Sequence, residues 1–221
     1  MSLATRFGLR DTSEKTVEIN TLSDLTYLLE SRTGQKVTII SPTQAEENRL
    51  GFDEIIEGLP PGQVVALQFK RPRQLLLPQD AIRFIIDTRQ LQQLLLAFSP
   101  NQAFYILIPF PKVRDLISFR PRLLDLAVAI DVYDFPNSRK TSQKTRTIRL
   151  HKQRTLTGMP IVEITDPWTF QRVEKINTLT TFGEKLIKGE VGYKIKEGKH
   201  PEERKQRVKV RRVYYLHLAS P

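Results

Sequence analysis

Apolar residues recur along the chain at two periods, and the change from one to the other lays out a succession of helices and strands. Leu22, Leu25, Leu28 and Leu29 in TLSDLTYLLESRTG stand at helical spacing, with Thr21 or Ser23 as the expected N-cap and Gly34 as the stop. KVTII reads as a short strand and PTQAEENR as one or two helical turns. FDEIIE and QVVALQFK are joined by GLPPGQ, whose Pro-Pro-Gly makes a tight connection, so the two runs predict an antiparallel pair. IRFIID reads as another short strand or the approach to a helix. DTRQLQQLLLAF predicts a helix capped by Asp87, with Leu91, Leu94, Leu95 and Phe98 on one face. AFYILIPF is apolar on both faces and predicts a central strand ended by Pro109 and Pro111. RPRLLDLAVAIDVYDFP divides into a short helix and a strand that stops near Pro136.

Beyond Pro136 the pattern changes. KTRTIRLH and MPIVEI read as strands, DPWTFQRVEKI as a helix with Asp166 as cap and Pro167 at its first position, and TTFGEKLIKG as a shorter helix. VGYKIK and RVKVRRVYYLHL look like a hairpin pair around the charged EGKHPEERKQ. The expected fold class is therefore α/β, a mixed central sheet flanked by helices, with a basic β-rich C-terminal portion. An α/β core over residues 1–136 and a basic portion over 137–221 is the expected division.

Charge sharpens that division. The chain carries a net +11, and residues 137–221 hold 20 Lys+Arg against 8 Asp+Glu, while residues 1–136 hold 15 against 16. The excess thus lies entirely in the later portion. Runs such as SRKTSQKTRTIRLHKQR resemble the footprint of a polyanion binder, because each cation that neutralises a phosphate releases a condensed counterion. Candidate contacts are Arg139, Lys140, Lys144, Arg146, Arg149, Lys152 and Arg154. Arg207, Lys209 and Arg211 extend the set, alternating with apolar residues as a strand with cations on one side would, apart from Arg212, whose parity breaks the pattern, and Tyr215 is a candidate for stacking. Nucleic acid, DNA before RNA, is the expected partner; the competing reading is a solvated face.

Composition excludes several classes of chemistry. The 221 residues contain no cysteine, so a disulfide framework, a zinc finger and a thiol nucleophile are all ruled out, and three scattered histidines do not suggest a histidine metal site. No Gly-rich phosphate loop or nucleophile elbow is present. No apolar run is long enough to span a bilayer, and the opening MSLATRFGLRDTSEK lacks the apolar core of a signal peptide, so a soluble cytoplasmic protein without membrane contact is expected.

Candidate chemistry lies in the predicted hairpin. Side chains at i and i+2 of a strand share a face, so Gln68 and Lys70 project together while Phe69 turns away, and Asp53 on the neighbouring strand can join them. Oxygen ligands suit a hard cation such as Mg²⁺, which takes few protein ligands and accepts phosphate oxygens, and a lysine beside it can orient an attacking water and offset charge on phosphorus. Asp131 and Asp134 form a second carboxylate pair, readable as a strand terminus.

At FD (52–53) and QFK (68–70) the sequence resembles the PD-(D/E)xK nucleases, the restriction-endonuclease-like superfamily, over roughly residues 21–110. The resemblance implies a Mg²⁺- or Mn²⁺-dependent phosphodiesterase in which Asp53 and Gln68 bind metal and Lys70 assists catalysis. A glutamate from the preceding helix, Glu47 or Glu46, would add a ligand, with Glu30 as a more distant source; Gln90, then Gln93, would match the glutamine of the following helix. Two positions depart from the pattern: Phe52 replaces a proline, and Gln68 replaces an acid, which removes a negative charge from the site. A degenerate member that binds nucleic acid without cutting it, serving in an assembly or as a regulator, is the alternative. A restriction-type enzyme would also make a homodimer an expectation.

Overall fold

The computed structural model describes residues 11–59, 63–76, 81–135, 144–154, 160–166, 169–173 and 175–194. Helix α1 (Glu14–Thr33) starts where the Ser13 hydroxyl accepts the Thr16 N–H at 3.0 Å, and stops at Gly34 with φ 68°. The expected N-cap at Thr21 or Ser23 is thus corrected. The first two turns bury Val17 and Glu18 and carry no leucine repeat, so the helical period becomes visible only from Leu22. Thr21, inside the helix, donates to the Val17 carbonyl.

Strand β1 (Thr38–Ile40), helix α2 (Gln44–Leu50), β2 (Glu54–Leu59) and β3 (Gln63–Lys70) follow, with β1, β2 and β3 antiparallel in sequence order. The chain then leaves this sheet for a hairpin, β4 (Gln74–Leu76) and β5 (Ala81–Asp87). It returns through α3 (Thr88–Ala97), capped by Asp87 as expected, to β6 (Ala103–Leu107), which lies parallel to β3. All five residues of β6 are buried between β3 and β7 (Val128–Asp131), reached through α4 (Val113–Phe119), a 3₁₀ turn and α5 (Leu123–Leu126).

The later portion is basic and rich in strands, as expected, but it is shared between both sheets. Strands β8 (Thr145–Arg154), β9 (Pro160–Asp166) and β10 (Thr169–Arg172) extend the β4–β5 hairpin into a second, antiparallel sheet of order β10-β9-β8-β5-β4. Strand β11 (Asn177–Thr178) pairs with β7, helix α6 (Leu179–Lys188) packs on α1, and β12 (Tyr193–Lys194) pairs with the start of β3. The position 136/137 therefore falls between segments that share sheets. Residues 169–172, expected within a helix capped by Asp166, form β10 instead: Thr169 and Phe170 suit a pleated surface, and pairing along β9 overrides the local helical pattern.

These elements form three layers. On one face of the first sheet Leu67, Phe69 and Phe104 pack beneath α1 and α6, with the Phe104 and Phe182 rings edge to face at 4.8 Å. The other face packs Ala66, Tyr105 and Ile130 against Phe84, Ile148 and Ile164 of the second sheet and Leu91 of α3. No helix among the described residues is long and apolar enough to cross a membrane.

Gly51, between α2 and β2, has φ 85°, and a Cβ there would stand 3.1 Å from the backbone carbonyl of Gln90. Gly34 has a similar φ but open space around it. Gly34→Ala should cost about 1–2 kcal/mol for the left-handed conformation, and Gly51→Ala about 1–3 kcal/mol more for the clash with α3, compared by urea denaturation.

Candidate functional site

The junction of β2 and β3 is held by one carboxylate. The Asp53 N–H donates to the Leu67 carbonyl at 3.0 Å, which fixes Asp53 beside β3. Its Oδ2 accepts two hydrogen bonds of 2.6 Å, from the Phe69 N–H and from Nε2 of Gln68. Gln68 is buried, and its Oε1 accepts from Nε2 of Gln90 at 2.8 Å. Gln90 occupies the first turn of α3, where its own N–H and that of Arg89 donate to Asp87. An unbroken chain of hydrogen bonds thus links Asp53, Gln68 and Gln90 across three elements.

Strand alternation places Lys70 after Gln68 on this face and sends Phe69 into the helix-side core. The Lys70 ammonium lies 3.6 Å from the Glu14 carboxylate, at the first position of α1, and its charge also acts on Asp53. Burial pushes the Asp53 carboxyl up to about 7; Lys70 and the Phe69 N–H pull it down, and the carboxylates of Glu14 and Glu47 raise it further. Glu14 is therefore a member of this cluster that the leucine repeat could not reveal. The Ser13–Glu14 pair at a helix start was its only signal.

The remaining candidates separate clearly. Glu46 accepts from the Thr43 N–H and hydroxyl at 2.9 and 2.8 Å in a capping box, so its carboxylate closes the N-terminus of α2. Gln93 donates to the Asn48 carbonyl and ties α3 to α2, so Gln90 is the glutamine that reaches the site. Glu30 binds Lys36 and the Val37 N–H. Asp131 caps a 3₁₀ turn, accepting from the N–H groups of Tyr133 and Asn101, in keeping with a strand terminus. Glu54 faces the opposite side from Asp53, where it accepts from the Ser41 hydroxyl at 2.6 Å beside the paired Lys15 and Glu18.

Of the expected nucleic-acid contacts, Arg139, Lys140, Arg207, Lys209, Arg211 and Tyr215 lie outside the described residues. Lys152 and Arg154 belong to β8, Lys144 is exposed, and Arg149 stands partly exposed on the outer face of the second sheet. Arg146 requires correction. It is 1% exposed, because residues 146, 148 and 150 of β8 all face inward, so it is not a surface contact.

Tyr105, the register partner of Gln68 on β6, places a buried hydroxyl without a hydrogen-bond partner on the same face, and burial with the charges of Asp87 and Asp53 pushes its ionisation well up. Among the described residues no group of three or more His, Cys, Asp or Glu side chains is arranged to hold a metal ion. The chain matches no family model, no curated protein and no solved structure.

A carboxyl raised from 3.8 to about 7 on folding keeps its proton where the unfolded chain has lost it. Its contribution to stability is then complete below pH about 4 and disappears as the pH rises through about 7. Asp53→Asn should gain stability relative to the wild type over that interval and show no further change above it, as read from urea midpoints across the pH range.

Proposed function

We propose that the chain is a Mg²⁺- or Mn²⁺-dependent phosphodiesterase acting on nucleic acid, DNA before RNA. The observation that carries this reading is the meeting of Asp53, Gln68 and Gln90, with Lys70 on the same strand face, in the order helix, aspartate strand, Gln-x-Lys strand, glutamine helix. That order is similar to the PD-(D/E)xK pattern. The donor set fits a hard cation: Asp53 supplies a carboxylate, Glu47 and Glu14 add negative field, and Gln68 has an amide oxygen. In the hydrogen-bonded arrangement Gln68 turns its nitrogen toward Asp53, so metal binding requires its amide to rotate. Gln90 can follow by the same rotation and accept from Gln68 instead of donating to it.

A bound cation would supply Lewis-acid polarisation of a phosphate oxygen at Asp53. Asp53 must be ionised to hold it, so occupancy and hydrolysis both increase as the pH rises toward and past about 7. Lys70 holds a positive charge beside the site, released from Glu14 or shared with it, and from there orients the scissile phosphate and offsets charge developing on it. Cations of the second sheet grip the backbone outside the reacting group.

One observation favours a second reading, a nucleic-acid-binding protein without catalysis. The site has a single carboxylate at its centre, already satisfied by Phe69 and Gln68, and a neutral amide where an acid would strengthen a metal site.

Cleavage of plasmid DNA in Mn²⁺ separates the two. Lys70→Ala should lose about 100-fold or more in rate while DNA binding in chelator is retained, and Gln68→Glu should tighten metal binding and lower the metal concentration needed for cleavage. Wild-type protein that binds DNA but cuts in neither metal supports the second reading.

A further inference from the structure

The outer face of the second sheet carries a row of charges that neither the hydrophobic pattern nor the candidate site accounts for. Arg83 on β5 is the register partner of Arg149 on β8, Arg149 of Glu163 on β9, and Glu163 of Arg172 on β10. Their neighbours Phe84, Ile148, Ile164 and Val173 all face the core, so the four charged side chains share the opposite face. Three arginines and one glutamate thus cross four adjacent strands. With strands about 4.8 Å apart, the row is about 14 Å long from Arg83 to Arg172.

Like charges directly opposite one another weaken a strand pair, and Arg83 stands opposite Arg149 with the nearest acid of the row, Glu163, on the far side. His151, beside the row, is hydrogen bonded to that same Glu163 at 2.9 Å, so the single carboxylate is shared. The Nε of Arg83 is buried without a hydrogen-bond partner, so the base of its side chain lies close against the sheet. An anion laid across the row would offset the like charges of Arg83 and Arg149. The length of the row is that of a short stretch of one phosphate backbone.

We infer that Arg83, Arg149 and Arg172 form a docking row for the phosphate backbone of duplex DNA on the outer face of the second sheet. This rests on the nucleic-acid half of the proposed function and adds Arg83 and Arg172, which lie outside the basic runs of the sequence. Glu163 limits the grip of the row, because it lies between two of its cations. The contacts position the duplex and read no bases.

The test uses the full chain with chelator present, so that binding is read without cleavage. Affinity for random-sequence duplex DNA is measured between about 50 and 200 mM salt, beside single-stranded RNA and vesicles containing phosphatidylserine. Arg83→Gln, Arg149→Gln and Arg172→Gln combined should weaken duplex binding and make the logarithmic salt slope shallower by about 2 to 3. Glu163→Gln should strengthen binding, an outcome that misfolding cannot produce. Unchanged affinity and slope in the combined variant, tighter binding to RNA or vesicles than to duplex DNA, or no DNA binding by the wild type would each overturn the row. Metal-dependent cleavage by the wild type together with an unchanged combined variant would overturn the row and leave the phosphodiesterase standing. Loss of binding in the combined variant with no cleavage by the wild type in either metal would support the row and remove the catalysis.

Discussion

A single half-buried carboxylate determines how β2 and β3 meet. Asp53 accepts the Phe69 N–H and the Gln68 amide while its own N–H donates to Leu67, so one residue stitches the start of β2 to the end of β3 from both backbone and side chain. Taking such a group partly out of water disfavours its anion, and that desolvation is the largest cause of its raised pKa. The surrounding structure is arranged to tolerate it. Phe69 and Leu67 lock β3 into the helix-side core, Gly51 lets α3 approach closely, and that approach brings Gln90 within reach of Gln68.

The same arrangement explains why the second sheet exists beside the first. The β4–β5 hairpin leaves the first sheet immediately after Lys70 and returns through α3, so the excursion both creates the edge on which β8 and β9 assemble and delivers Gln90 to the site. Structure and candidate chemistry therefore share one connection. The chain past residue 136 is committed on both sides, with β8 to β10 extending the second sheet and β11, α6 and β12 closing the first.

Much of this was legible in the sequence because the relevant signals were local. Alternation along QVVALQFK fixed the faces of Gln68, Phe69 and Lys70, and the Asp87 cap fixed where α3 begins and hence where Gln90 lies. Glu14 was hidden because the first two turns of α1 carry no leucine repeat, so the helix seemed to begin after it. Glu46 and Glu47 were adjacent and equally acidic, and only the capping box distinguished them. Arg146 counted as a surface cation because charge runs ignore strand parity, and Arg83 was missed because it sits alone in an apolar strand. Strand β10 shows the opposite failure: a local helical pattern gave way to a pairing visible only in three dimensions.

The proposed hydrolysis requires Asp53 and Gln68 to exchange their mutual hydrogen bond for a shared cation. Anomalous scattering from a Mn²⁺-soaked crystal above pH 7 tests this most directly. A single peak about 2.0–2.3 Å from an Asp53 oxygen, with the Gln68 amide oxygen turned toward it, is the predicted result. A crystal in which Gln68 still donates to Asp53 and no peak appears there would contradict it.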